Sequence, residues 1–339
     1  VITNIGLDAT FFKRKLDVSV EWYKKAINGL LFPQPLPATT GGAAAPIINI
    51  GDIQNKGMDI SAAYHGHLGE DFQYNIGANI TTYKNMIVNI PGPGYFDVDI
   101  ARNQTGHPVG AFFGYDVVGF FKDEADVSKS AVQQDAAPGL FKFRDVNGDG
   151  EITPDDRTFF GNPNPDFTYG VNLGAAYKNF DFSMIFYGSQ GNDVFNALRY
   201  QITKWNGFMS AMSNDMIFNA WSPENQDAKT PLPQTASNFS NDGSNSFFRE
   251  SGSFLKCRSI ILGYTVAPAS LKKLSVTKCR FYFQVANPFT ITRYSGLDPE
   301  LSSAFGSLDA NQQSAAFGID NSNYPNNFRN FLVGINVSF

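Results

Sequence analysis

A two-residue alternation of apolar and small polar side chains recurs along this chain, in stretches of about ten residues at a time. In "FTYGVNLGAAYK", Phe167, Tyr169, Val171, Leu173, Ala175 and Tyr177 share one face; Thr168, Gly170, Asn172, Gly174 and Ala176 share the other. "FDFSMIFYG" follows after a short turn, with Phe180, Phe182, Met184 and Phe186 opposite Asp181, Ser183 and Tyr187. "FQYNIGANITTY" sets Phe72, Tyr74, Ile76, Ala78 and Ile80 against Gln73, Asn75, Gly77, Asn79 and Thr81. The same period appears in "LDVSVEW", "GMDISAAY", "SIILGYT" and "RFYFQVANPFTI". The chain ends on it: in "FLVGINVSF", Phe331, Val333, Ile335, Val337 and Phe339 lie on one face.

A period of two is a strand. Strands of about ten residues exceed the usual five or six, and tilted strands need about 9–11 to cross a bilayer. A second face of Gly, Asn, Ser, Thr and Gln suits a wet lumen better than a protein core. Charged residues are 17% of the 339, below the roughly 25% of soluble domains. No apolar run approaches the roughly 18 residues of a membrane helix. These totals fit a soluble all-β protein or a transmembrane β-barrel and exclude a helical membrane protein. A net charge of −5 gives no reason to expect a nucleic-acid partner. "VITNIGLDATFF" has no basic region followed by an apolar run and a cleavage site, so no signal peptide is expected here and the chain reads as mature or truncated.

The connections come in two kinds that alternate. Short turns are expected at 13–15, 65–71, 178–181 and 267–278, and long loops at 31–56, 85–166, 191–252 and 293–328. Outer-membrane barrels have short periplasmic turns and longer extracellular loops. Strands are expected near 2–12, 15–30, 57–66, 71–84, 166–178, 180–190, 254–266, 279–292 and 329–339. On that count the first and last strands both run inward. Neighbours in a closed antiparallel barrel must oppose, and single-chain barrels have an even strand number. The chain therefore reads as the C-terminal portion of a larger barrel, with the remainder in another chain or a missing piece. Residues 85–166 are expected to form one extracellular excursion, since a further crossing would reverse every later strand.

Several phrases carry a resemblance. "NIGDIQNKGMDI" (49–60), "VGAFFGYDVVGFF" (109–121), the run from Phe141 to Asn196, "WSPEN" (221–225), "SGSFLKCRSIILGYT" (251–265), "VANPFTITRYSGLDPE" (285–300) and "GIDNSNYPNNFRNFLVGINVSF" (318–339) resemble SusC/RagA-type TonB-dependent outer-membrane transporters of Bacteroidetes. The resemblance implies an all-β fold, a transmembrane antiparallel barrel of about 22 strands of which these are the last. It implies a plug domain in the lumen, TonB as energiser, and a SusD-like surface lipoprotein as lid. Its implied function is active import of nutrients, glycan oligomers or peptides, across the outer membrane of a Gram-negative bacterium. The plug and the first part of the barrel are not in this sequence. Phe339 looks like the terminal aromatic by which barrel proteins are recognised for insertion. Two rivals are a passive porin and a soluble carbohydrate-binding β-sandwich.

"DVNGDGEITPDD" is the sharpest local signal for chemistry. Asp145, Asn147 and Asp149 take positions 1, 3 and 5 of a calcium loop, Glu151 offers a carbonyl at 7, and Asp156 stands at 12 where an EF-hand has Glu. The flanks are not helical, so the expectation is a lone structural calcium loop, with a metal-free Asx-turn as the other reading. His65, His67 and His107 form no catalytic arrangement, and nothing argues for an enzyme. Cys257 and Cys279 should lie near opposite ends of their strands, too far apart for a disulfide. Loop aromatics Tyr95, Phe96, Phe112, Phe113, Trp205, Phe208 and Trp221 are expected to stack on sugars or peptides, or to pack.

Overall fold

The computed structural model describes residues 1–33, 47–203, 212–234, 238–241, 244–267, 276–301, 316–321 and 328–339. The chain begins with four long strands, β1 (Ile2–Phe11), β2 (Leu16–Pro33), β3 (Ile47–Leu68) and β4 (Phe72–Asn89). Short strands follow: β5 (Tyr95–Val98), β6 (Ala101–Gln104), β7 (Phe112–Gly114), β8 (Val117–Phe120), β9 (Phe141–Phe143) and β10 (Thr158–Gly161), with helix α1 (Glu124–Lys129) between β8 and β9. Then come β11 (Phe167–Tyr177), β12 (Phe180–Gln190), β13 (Asp193–Phe195), helices α2 (Ala197–Thr203) and α3 (Asn214–Phe218), β14 (Arg249–Ser251), β15 (Phe254–Thr265), β16 (Lys278–Thr292) and β17 (Asn330–Ser338).

The long strands form one sheet of nine, in the order β1-β2-β3-β4-β11-β12-β15-β16-β17, with every pair antiparallel. All the expected strands are there. β2, β3 and β4 run further than the alternation does. Residues 47–56 and 85–89, expected in loops, pair in the ladder across register shifts near Leu30 and Asp52, with Ile53 opposite both Ile27 and Ile87. Their side-chain pattern is mixed, but their backbone donors and acceptors still find ladder partners. β4 pairs directly with β11, so residues 90–166 add no strand to this sheet. β1 and β17 are its edges and point the same way, so the sheet cannot close upon itself with antiparallel pairing.

The two faces separate as the alternation demands. On one, Phe72, Tyr177, Phe180, Tyr264 and Phe281 lie directly opposite one another across successive strands, an aromatic row near the short-turn end. This face is uncovered: Leu7, Phe331 and Val333 are 69%, 69% and 79% exposed. A sheet in a soluble sandwich would bury it. Buried apolar residues lie instead mostly in the connections. Phe112, Phe141, Phe143, Phe160, Phe195 and Phe248 pack with Val98, Ile100, Tyr115 and Ile319 into one core. It is sealed by β5-β6-β7-β10 and by the pairs β8–β9 and β13–β14. Phe112 and Phe195 meet edge to face at 6.1 Å, and Phe141 and Phe248 at 6.0 Å, the geometry that aromatic quadrupoles favour.

Because the large sheet and this aromatic core bury different residues, they should respond separately to mutation. Phe112→Ala removes a ring with no exposed surface and should cost about 3–5 kcal/mol of the core's local stability. Hydrogen exchange on the full-length protein should show faster exchange in β5–β10 and unchanged exchange in β11 and β12. Equal acceleration in both would contradict a separate core.

Candidate functional site

The site is the polar face of the sheet and the loop layer at its long-loop end. One register line on that face reads Thr10, Asp17, Ala63, Gly77, Asn172, Ile185, Ser259, Ala286 and Asn330, a single residue from each strand. Almost all are small or polar. Between β4 and β11 the pattern is a checkerboard: Asn75 faces Gly174, Gly77 faces Asn172, and Asn79 faces Gly170. Gly170 and Gly174 leave the space that the facing carboxamides occupy. A Cβ on Gly174 would stand 2.1 Å from Asn75 Oδ1, and one on Gly170 2.6 Å from Asn79 Oδ1. The carboxamides thus lie flat along the wall and present donors and acceptors together. The curved wall encloses a trough of about 1020 Å³ lined by His65, His67, Gln73, Asn75, Asn172 and Ser183.

Charge on this face is uneven. Asp8, Asp17, Glu21 and Asp59 share it on β1–β3, with Thr10 Oγ1 donating to Asp17 Oδ1 at 2.8 Å. Nearer the short-turn end, Arg280 donates from Nε to Asp181 at 2.9 Å and from a terminal nitrogen to the second carboxylate oxygen. That bidentate pair crosses β15, and a Cβ on Gly263 would collide with both partners.

The loop layer folds over the polar side of the strand ends. Asn55 and Asn85, on that side of β3 and β4, bond to each other, and Asn85 Oδ1 accepts from Val109 N–H at 2.7 Å. Ile87 N–H donates to His107 O at 2.9 Å, and His107 stacks on Phe159 at 3.8 Å. Arg102 is held by Asp97 and lies between the rings of Tyr95 and Phe113, 4.1 and 3.7 Å from their centroids. Of the loop aromatics, Phe112 and Trp221 are buried and Phe96 packs against the core, while Tyr95 is exposed. Trp205 and Phe208 lie outside the described residues.

The loop at Asp145 is compact. Asp145 accepts from Gly148 and Gly150 N–H at 2.7 and 2.9 Å, Asn147 from Asp149 N–H at 2.9 Å, and Asp149 from Glu151 N–H at 2.9 Å. Asp156 is buried and turns back into the loop, accepting from Val146 and Thr153 N–H, both at 2.8 Å. With Thr153 it completes a capping box on the turn Pro154–Asp156. Among the described residues no three His, Cys, Asp or Glu side chains stand close enough together to hold a metal. Asp145 and Asp156 accept backbone N–H groups with both oxygens, while Asp149 accepts from Glu151 N–H with one and from Asn147 Nδ2 with the other. Cys257 and Cys279 are free thiols, Cys257 opposite Phe289, most of a strand length along β16 from Cys279.

The family model described as "TonB dependent receptor-like, beta-barrel" matches residues 3–208. The chain belongs to that family. TonB-dependent receptor P3 of Formosa agariphila is 32% identical over 350 residues, a match covering 99% of this chain and 34% of that protein. TonB-dependent receptor SusC of Bacteroides thetaiotaomicron is 28% identical over 342 residues, covering 99% and 31%. The structure of the RagAB peptide transporter superposes with a TM-score of 0.81 at 23% identity, covering 100% of this chain and 35% of that one. The SusC/RagA resemblance of the sequence is borne out, and the sheet is part of a transmembrane β-barrel with its polar face toward the lumen. The chain spans about a third of the length of the curated relatives it matches.

Sequence reasoning missed Lys256, Arg258, Asp298 and Glu300, which meet at the barrel mouth. The two pairs stand some forty residues apart in sequence, and no local pattern links them.

Asp156 yields a pH prediction. Burial alone would raise its pKa, but the N–H groups of Thr153, Val146 and Asn147 outweigh that and hold it below the usual carboxylate range. A depressed folded pKa gives stability that is complete above the unfolded value of about 3.9 and lost as pH falls through the folded one. Amides of Val146 and Thr153 should therefore keep their exchange protection at pH 5 and lose it well below pH 4, after correction for intrinsic rates. Asp156→Asn should lack that acid transition; its persistence in the variant would assign it elsewhere.

Proposed function

We propose that the whole protein imports nutrients, glycan oligomers or peptides, across the outer membrane of a Gram-negative bacterium. The carrying observation is the lumen wall: a neutral carboxamide surface of Asn75, Asn79 and Asn172 on a barrel of the TonB-dependent receptor family. Carboxamides and hydroxyls match the donors and acceptors of sugars and of peptide backbones alike, and hold neither too tightly to release. Transport is driven by TonB through a plug in the part of the protein outside this chain, and a SusD-like lipoprotein covers the mouth. The relatives named SusC and RagAB support this assembly. Residues 85–166, whose first five extend β4, form one extracellular excursion, and the role is transport, not catalysis. In cells that depend on this protein for an oligomeric nutrient, disabling TonB should abolish uptake; undiminished uptake would favour a passive pore.

We also keep a calcium reading for Asp145, Asn147, Asp149, Glu151 and Asp156. The spacing supports it, as do the tight Asx turns that already point these oxygens along one short loop. Binding requires Asp156 to exchange its backbone donors for the ion. Calcium should then slow proteolysis across residues 141–160 of the full-length protein relative to a chelator, and Asp145→Ala with Asp149→Ala should erase the difference. Indifference of the native loop to calcium would end the idea.

A further inference from the structure

Two stretches noted in the sequence, "SGSFLKCRSIILGYT" and "VANPFTITRYSGLDPE", have separate places in the sheet as β15 and β16, yet the second continues beyond its strand. We propose that they are the two halves of one charge lock, in which Lys256 is the positioning residue that seats segment 293–300 against the mouth end of β15.

Lys256 Nζ is almost wholly buried, 1% exposed, and donates to Asp298 at 3.1 Å and to Glu300 at 2.7 Å. Asp298 is 5% exposed. Arg258 donates to the second oxygen of Glu300, and its guanidinium lies 5.1 Å over the ring of Tyr187. Lys256 faces the lumen because it stands opposite Tyr187 in the β12–β15 register. Arg258 joins it there through a bulge: the pairing of β15 shifts between Cys257 and Ser259 toward β16, and at the same place toward β12. A bulge re-aims a side chain in this way. The result is two cations and two carboxylates, balanced and mutually bonded. Burial alone would raise the pKa of Glu300, but Arg258 and Lys256 together hold it below the usual carboxylate range.

The balance explains why the lock acts as a unit. A buried ammonium is costly unless paired, and removing one partner leaves the other charge stranded. Without Lys256, Asp298 and Glu300 would face each other in a site where Asp298 has almost no water, so the segment must move out. The start of the segment is anchored separately, by the carboxylates of Glu250 and of buried Asp320. Ser295 donates from N–H and Oγ to Glu250, each at 2.8 Å. Tyr294 donates its hydroxyl to Asp320. Glu300 N–H donates to Asp298 at 3.0 Å, so that contact depends on the lock itself. The lock therefore fixes the root of the β16–β17 connection at one place on the lumen rim, beside Tyr187, from which the remainder of that loop departs.

Hydrogen exchange on the full-length protein in detergent tests this without measuring import, so it stands or falls independently of the transport reading. Lys256→Met should speed exchange at the amides of 295–300 at least tenfold and leave β11 and β12 unchanged. Lys256→Arg should restore most of the protection. Adding Asp298→Leu to Lys256→Met should recover part of it, because Glu300 keeps Arg258 as its partner and no buried charge is then stranded. If Lys256→Met prevents barrel assembly, Asp298→Asn, in the loop and outside any strand, supplies the same reading. Protection at 295–300 within twofold of native in either assembled variant would overturn the proposal.

Discussion

In lipid a backbone N–H or C=O has no water to turn to, so a spanning strand must be bonded on both sides. Everything else here follows from that constraint. Nine strands give each other ladders interrupted only by local bulges, but β1 and β17 each have one open edge and run the same way. An odd number of antiparallel strands cannot be a closed barrel alone. The relatives, of which the chain covers 34% and 31%, have the further length that partners for such edges need.

The same constraint inverts the usual place of the hydrophobic core. The sheet's apolar face needs no protein cover, because lipid tails supply it, and so Phe331 and Val333 are exposed. The lumen face carries carboxamides and Gly. Apolar burial is left to the loops, where Phe112, Phe141 and Phe248 build a core of their own. That core turns the long connections into a fixed layer over the lumen. Of the loop aromatics, Phe112 lies in that core and Phe96 packs against it, Trp221 is buried outside it, and Arg102 takes up faces of Tyr95 and Phe113.

The strands were legible because a membrane-length strand writes its environment twice, once per face. Phe180 to Tyr187 shows this plainly, every second residue being apolar. Legibility failed where pairing continued without a two-faced environment, as in 47–56 and 85–89, which leave the alternation but not the ladder. The Asp145 loop was legible as a turn, since Asp and Asn at alternate positions bond the backbone two residues on. The inward turn of Asp156 was not, because it depends on the Thr153 cap. Lys256 was the least visible. A lysine on a strand reads as a lumen residue, and only the folded chain brings Asp298 and Glu300 to it.

The central claim is that β12 lies in a barrel wall with lipid on one side and lumen on the other. Spin labels at each position from Phe180 to Tyr187, in the full-length protein with Cys257 and Cys279 replaced by Ala and reconstituted in bilayers, report collision with dissolved oxygen. The account predicts maxima at 180, 182, 184 and 186 and minima at 181, 183, 185 and 187. A flat profile, or one with the maxima on the Asp181 and Ser183 face, would contradict it.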